Sequence, residues 1–117
     1  MLVFVEFSNP LGDYCQVNTL GFGMESVPLA GGSGRSAHIQ GVHFTKDRDS
    51  LSARLFEHCA GGTNFTRVDV EYYRDEDSAR VCLYRMTDVT IASFNSTAKG
   101  EESIALSYKA LKGTYFK

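Results

Sequence analysis

The sequence predicts a mainly β fold: an antiparallel β-barrel of two packed sheets with one short α-helix, in a single domain over residues 1–117. Apolar and polar residues alternate, as in half-buried strands, in about seven to nine segments separated by turn-forming residues. Only one segment has the apolar spacing of an amphipathic helix. A chain of 117 residues, 43% of them hydrophobic, has the size and composition of one domain with one core.

The first strand is predicted over Leu2–Phe7. Leu2 and Phe4 are expected in its core-facing set, together with one of the two valines beside them. The strand ends at the segment 8–13, which contains proline, glycine and two polar turn formers.

Glycines mark the next part of the chain. A second strand is predicted over 14–24, where Gly21 and Gly23 leave one face of the strand without side chains. The glycine-rich stretch 29–36 is predicted to be a flexible hairpin loop. The chain then returns as an alternating strand over 38–44.

One helix is predicted after the third strand. Asp49 or Ser50 can cap its beginning, and Gly61-Gly62 end it. The helix carries an apolar stripe of Leu51, Leu55, Phe56 and Cys59. A helix of roughly ten residues is unstable alone, so this stripe is expected to dock on the sheet.

The second half of the chain is predicted to consist of strands. A strand over 68–72 and a long one over 81–94 form a hairpin around the polar turn 75–78. A polar connection over 95–102 then leads to a half-buried final strand over 104–110.

Charge and hydropathy argue against several partners. The chain carries 12 Lys and Arg against 14 Asp and Glu, a formal net charge of −2, whereas polyanion-binding domains carry an excess of basic residues. We therefore expect no nucleic acid partner. No apolar run approaches the ~18 residues that span a bilayer, so no membrane insertion is expected. The apolar start at 1–5 is interrupted by Glu6, so no cleaved signal peptide is expected either.

The cysteines indicate structural thiols. Cys15, Cys59 and Cys82 are odd in number and not closely paired, which favours reduced thiols in a cytosolic fold. His58 and Cys59 are neighbours on the helix and diverge by about 100°, so they cannot chelate a metal ion from one face. Three cysteines and three histidines without a pattern do not single out a nucleophile.

Two further segments resemble ligand motifs but lack the required spacing. The stretch 31–36 has no glycine where a phosphate-binding loop needs its first one, and an arginine stands in place of its lysine. The acidic group 75–77 lacks the EF-hand pattern and is expected to be a solvated turn. The sequence therefore predicts no catalytic residue, no metal site and no cofactor, and a protein that is not an enzyme.

Taken together, several segments resemble the Hcp family, the haemolysin-coregulated tube proteins of bacterial type VI secretion systems. The most specific part is the approach to the helix, Phe-x-Lys-x-x-Asp-x-x-Ser, which is Phe44, Lys46, Asp49 and Ser52 in this chain, with Ser50 as a competing match. The other matching segments, in order, are 20–24, the glycine-rich loop, the helix with its Cys-Ala-Gly-Gly end, the hairpin 68–73 with 80–90, and 102–110 with Tyr115.

The resemblance implies a β-barrel with one helix that assembles into a homo-hexameric ring, with rings that stack into a tube. In that family the tube is driven by a contractile sheath, and its lumen carries or chaperones effector proteins. The implied partners are therefore further copies of the chain, secreted effectors, and sheath or spike components. The implied location is cytoplasmic and then secreted, without a cleaved signal peptide.

Five residues are candidates for ring contacts or for the lumen wall: Gly21, Phe22, Gly23, Lys46 and Asp49. A strand with two glycines presents a low, smooth face, which suits a tube wall or close contact between subunits. The alternative function is a small monomeric or dimeric β-barrel module that binds a peptide or small ligand. A third, a cysteine- or metal-dependent enzyme, requires one unusually reactive thiol.

Overall fold

The computed structural model describes residues 1–28 and 36–116, without the side chains of 24–28 and 36–40. It contains eight strands and one helix in this part of the chain: β1 (Leu2–Phe7), β2 (Asp13–Val17), β3 (Thr19–Pro28), β4 (Ser36–Asp47), α1 (Ser52–Gly61), β5 (Asn64–Tyr73), β6 (Arg80–Ser96), β7 (Glu101–Ser107) and β8 (Ala110–Tyr115). The predicted mainly β architecture with one helix is confirmed. The glycine-rich loop predicted over 29–36 lies, except for its last residue, outside the described residues.

All strand pairs are antiparallel, in the order β2-β1-β5-β6-β7-β4-β3. β1 is an interior strand, in which Val5 lies opposite Cys15 of β2 on one side and Val70 of β5 on the other. The long strand β6 pairs with β5 along one edge and with β8 and then β7 along the other. The described ladder runs from β2 to β3 without closing on itself, so the fold is barrel-like rather than a closed barrel.

The core lies between the inward faces of these strands and α1. Alternate residues point inward on each strand, as the pleat requires, and they include Val5, Phe7, Val42, Phe44, Phe65, Val68, Val70, Met86, Ile104 and Leu106. On β1 the expectation for Leu2 and Phe4 was wrong, because both are only partly buried. Phe4 faces outward, where its ring meets that of Tyr14 on β2.

Two strand boundaries also differ from those predicted. The segment 14–24 is two strands, separated at Asn18, whose N–H donates to the Thr45 carbonyl at 2.7 Å and whose side chain donates to Asp47. These bonds hold a corner where the chain passes from β2 to β3. The final strand stops at Ser107, and β8 follows as a separate strand whose six residues are all exposed. A strand without buried residues shows no burial alternation, so the sequence did not reveal it.

The helix ends where the sequence predicted. Gly62 adopts the left-handed conformation (φ 65°), and its N–H donates to the Cys59 carbonyl. Leu51 and Leu55 are buried as predicted, but Phe56 is 58% exposed and does not belong to the buried stripe. A ten-residue helix is far too short for a membrane span, and the described residues form no helix long and apolar enough for one.

Candidate functional site

Gly21 and Gly23 lie on the outer face of β3. They pair with His43 and Gly41 of β4, while Phe22 between them faces the other way. A Cβ atom built at either β3 glycine meets no atom of the described residues within 4 Å. As far as the described part of the chain goes, the face above these two glycines is open space.

The same outer face continues across β4 and β7 with small or uncharged side chains. Three rows of paired residues cross it: Thr19, Thr45 and Ser103; Gly21, His43 and Ala105; Gly23, Gly41 and Ser107. None of these nine residues is a lysine, arginine, aspartate or glutamate. A shallow hollow of about 190 Å³ lies beside the first two rows, extending to Ser93 and Asn95 of β6. We call these nine residues the small-residue face.

Phe22 lies on the opposite side of β3 from the two glycines. Its ring packs against Tyr84 of β6 with the centroids 4.9 Å apart. This contact brings the free end of the sheet order, β3, close to the middle of the long strand β6. Phe22 nevertheless remains 37% exposed.

Lys46, a candidate for ring contacts or for the lumen wall, lies inside the protein, whereas a residue that touches another subunit must be at the surface. It follows Val42 and Phe44 on the inward face of β4, so the strand alternation carries it into the core, where its side chain is fully buried. Its ammonium donates to Glu102 Oε1 at 2.8 Å, to Asp49 Oδ1 at 3.0 Å, to the Asp47 carbonyl at 3.0 Å and to Ser52 Oγ at 3.2 Å.

Ser52 and Asp49 complete the hydrogen bonding around Lys46. Ser52 Oγ donates to Glu102 Oε1 at 2.7 Å and accepts the Asp49 N–H at 3.0 Å. Asp49 Oδ1 also accepts the Leu51 N–H at 2.9 Å. The predicted cap by Asp49 or Ser50 was wrong, because Leu51 is the N-cap residue of α1 and no side chain of the described residues caps the helix there. We call Lys46, Asp49, Ser52 and Glu102 the Lys46 cluster. It joins the end of β4 and the start of β7 to the first turn of α1.

The charges in the cluster stabilise one another. Burial alone lowers the pKa of the Lys46 ammonium, but the hydrogen bonds and negative charges of Glu102 and Asp49 outweigh burial and raise the pKa above 10.5. Lys46 therefore stays charged at neutral pH. The buried ammonium of Lys46 is thus paired with two carboxylates, and these contacts bind the helix to the sheet.

The sequence did not single out Glu102, which falls in the predicted polar connection 95–102. The residue lies opposite Lys46 in the β4–β7 register and is only 2% exposed. Its position two residues before Ile104 and four before Leu106 places it on the buried face, and that spacing was the available signal.

The cysteines are free thiols, as predicted. Cys15 is buried on the inward face of β2, and desolvation raises the pKa of its thiol to about 12, although the positive charge of Lys46 opposes this. A thiol with such a pKa is protonated at neutral pH and is a poor nucleophile. Among the described residues, no three His, Cys, Asp or Glu side chains lie close enough together to hold a metal ion.

Comparison with known proteins agrees with this geometry. The family model described as type VI secretion system effector, Hcp, matches residues 12–115. A comparison with curated protein sequences finds no match.

Solved structures of Hcp proteins have a similar fold. A variant of Hcp1 from the E. coli EAEC 042 pathovar has a TM-score of 0.78 at 16% identity, over 98% of this chain and 92% of that chain. Hcp1 from Salmonella typhimurium has a TM-score of 0.77 at 18% identity, over 97% and 85% of the two chains. A chain from the sheath–tube complex of PVC, an extracellular contractile injection system, has a TM-score of 0.67 at 10% identity, over 97% and 88%.

The family model thus covers nearly the whole chain, and the arrangement of strands and helix is that of solved Hcp proteins. This chain belongs to the Hcp family of type VI secretion system proteins.

Proposed function

We propose that this protein is a structural subunit of the type VI secretion tube. In this proposal residues 1–117 act as one domain, six copies close into a ring, and stacked rings carry or chaperone effectors through their lumen. The observation that carries the proposal is the match of the Hcp family model to residues 12–115. The likeness to a chain of a sheath–tube complex supports the tube architecture in particular.

The strand edges support assembly into rings. In the described part of the chain, β2 and β3 stand at the two ends of the strand order, and β8 pairs with β6 alone. Unpaired edges promote contact with other chains, and a closed ring covers such edges with the same patches on every subunit. All six residues of β8 are exposed.

The small-residue face supports a close contact or a lumen wall at Gly21 and Gly23. Without side chains at these positions, another backbone or a passing effector can approach the sheet closely. Phe22, on the other side of β3, would hold this strand in position through its contact with Tyr84 of β6. Lys46 and Asp49 would act on ring contacts indirectly, because the Lys46 cluster fixes α1 relative to β4 and β7.

The proposed role is structural rather than catalytic. The protonated, buried thiol of Cys15 supports this, since it lacks the reactivity of a catalytic cysteine. The protein would be made in the cytoplasm and exported by the secretion system itself.

Light scattering on concentrated protein tests the ring directly. We expect a mass near six times 12.9 kDa, and negative-stain images with rings or short tubes. A strict monomer or dimer at all concentrations would instead favour the small binding module and contradict the tube subunit.

Substitutions on the small-residue face test the role of the glycines. We expect Gly21→Leu and Gly23→Leu to fold normally, because a side chain there has open space, and to lower the ring population or the retention of effectors. Thr66→Leu, at an exposed position on the interior strand β5, is the matched control and should leave rings unchanged. Unchanged rings and unchanged effector retention in both glycine variants would remove the small-residue face from the proposal.

A further inference from the structure

Three aromatic side chains lie together on the outer face of three neighbouring strands. Phe4 of β1 stands between Tyr14 of β2 and Tyr73 of β5, with ring centroids 5.8 Å and 5.6 Å away. The two tyrosine rings are inclined to the phenylalanine ring by 70° and 81°. The tyrosines therefore form two walls on either side of Phe4.

Among the described residues, those that line the hollow between these rings are aromatic or acidic. Its volume is about 300 Å³, and Phe4, Tyr14, Tyr73, Glu6 and Glu71 surround it. This volume is at the small end of the range for ligand pockets, which suits a single head group or one side chain. We call these five residues the aromatic cage.

The cage is held in shape by polar contacts at its rim. The Tyr73 hydroxyl donates to Glu71 Oε2 at 2.5 Å, which fixes the tyrosine ring and raises its pKa, so that the phenol stays neutral. Glu71 also accepts a hydrogen bond from Arg80 at 3.4 Å, and Glu6 accepts one from Arg67 at 3.4 Å. Both arginines lie outside the lining of the hollow.

Core packing does not account for these rings. Tyr14 is 61% exposed on the edge strand β2, and the buried core residues lie on the opposite face of β1 and β5. Aromatic faces carry negative potential and attract cations within about 6 Å of the ring centre. Nearby carboxylates add a Coulomb attraction for the same cation. Three such rings with two carboxylates form a set that suits a positively charged organic group.

We propose that the aromatic cage binds an alkylammonium group, as carried by a lysine side chain, by methylated lysine or by a small organic ammonium compound. The rings contact the alkyl and ammonium surface, and Glu6 and Glu71 complement its charge. All five residues of the cage belong to one chain, so binding of a free ammonium compound can be tested without ring formation.

Titration of the 117-residue chain, labelled with ¹³C in its Phe and Tyr rings, tests the cage. The probes are trimethyl-lysine, tetramethylammonium chloride and the neutral compound 3,3-dimethylbutanol, which has a similar shape without charge. We expect saturable shifts of the Phe4, Tyr14 and Tyr73 ring signals, and roughly tenfold tighter binding of the cations than of the alcohol. Equal binding of the alcohol, or no saturable shift, would overturn the proposal.

Two variants locate the binding. Tyr14→Leu removes one wall at an exposed position and should weaken cation binding at least about fivefold, and Glu71→Gln should weaken it by a similar factor. Tyr115→Leu is the matched control, since Tyr115 is also an exposed tyrosine on an edge strand and lies outside the cage. Circular dichroism confirms that each variant is folded. Wild-type affinity in a folded Tyr14→Leu variant would refute the assignment.

A light-scattering arm distinguishes the sources of the ammonium group. If a lysine of a second copy occupies the cage, saturating tetramethylammonium will lower the assembled mass relative to the same concentration of sodium chloride. If the natural ligand is a separate ammonium compound, the mass will stay constant while the ring signals still shift. Both results support the cage, and the variants above remain the decisive test.

Discussion

Replacing Lys46 by methionine should strongly destabilise the protein. The substitution keeps the length and apolar stem of the side chain but removes an ammonium that is fully buried and 2.8 Å from Glu102. The Glu102 carboxylate, only 2% exposed, would keep the Ser52 hydroxyl as its partner in the cluster but no longer face a positive charge. Removing one partner of a buried ion pair costs about 3–5 kcal/mol.

A loss of this size is a large part of the stability of one domain, which is typically about 5–15 kcal/mol. For a chain of 117 residues it corresponds to a fall in Tm of about 12–20 °C. Urea unfolding followed by circular dichroism measures the free energy of unfolding. Dilute protein at several concentrations separates this effect from any change in assembly.

A double variant tests whether the buried charge is the cause. Lys46→Met combined with Glu102→Leu removes both charges, so it should be less destabilised than the single Lys46 variant, because no unpaired carboxylate remains. Lys112→Met, at an exposed lysine on β8, is the control and should change stability by less than about 0.5 kcal/mol. A Lys46→Met loss below about 1 kcal/mol, or additive losses in the double variant, would refute the reasoning.

Two other predictions concern the helix end and the alkaline stability. Gly62→Ala should cost about 1 kcal/mol, because Gly62 has a φ of 65°, whereas Gly61→Ala, inside the helix, should be neutral or slightly stabilising in the same urea assay. Equal midpoints for these two variants would contradict the left-handed cap. Burial raises the pKa of the Cys15 thiol from 9.0 to about 12. The contribution of the protonated thiol to the free energy of unfolding is therefore fully present below pH 9. It is lost as the pH rises towards 12, by up to about 1.4 kcal/mol per pH unit. The unfolding free energy of Cys15→Ala should therefore fall less steeply over that window, and parallel curves for the variant and the wild type would show that this thiol does not ionise on unfolding.

The alternation of apolar and polar residues predicted most of the fold, because successive side chains of a strand point to opposite faces and only one face is buried. It placed Val42 and Phe44 on one face of their strand, and the same period carries Lys46 and Glu102 into the core. In the sequence, a charged residue is expected at the surface even when its position in the strand belongs to the buried face. Only the pairing of β4 with β7 shows that Lys46 and Glu102 lie opposite each other.

The parts that sequence did not predict lack such a period. All six residues of β8 are exposed, so nothing in their order distinguishes a strand from a tail. Phe56 has the spacing of the buried stripe, but it remains 58% exposed and an edge-on contact with the partly buried Phe94 joins it to the sheet. The aromatic cage was hidden for another reason, since its rings come from three strands that only the sheet order brings together.

The interior position of β1 also sets the order in which the chain can fold. Its hairpin with β2 can form as soon as residue 17 is available, but its other edge must wait for β5, which begins at Asn64. Closing such a long loop loses entropy before the contacts stabilise it, so folding should be slow compared with a helical protein of this size. During synthesis the first hairpin therefore keeps an unpaired edge until β5 has been made, and an unpaired strand edge can mispair with other chains.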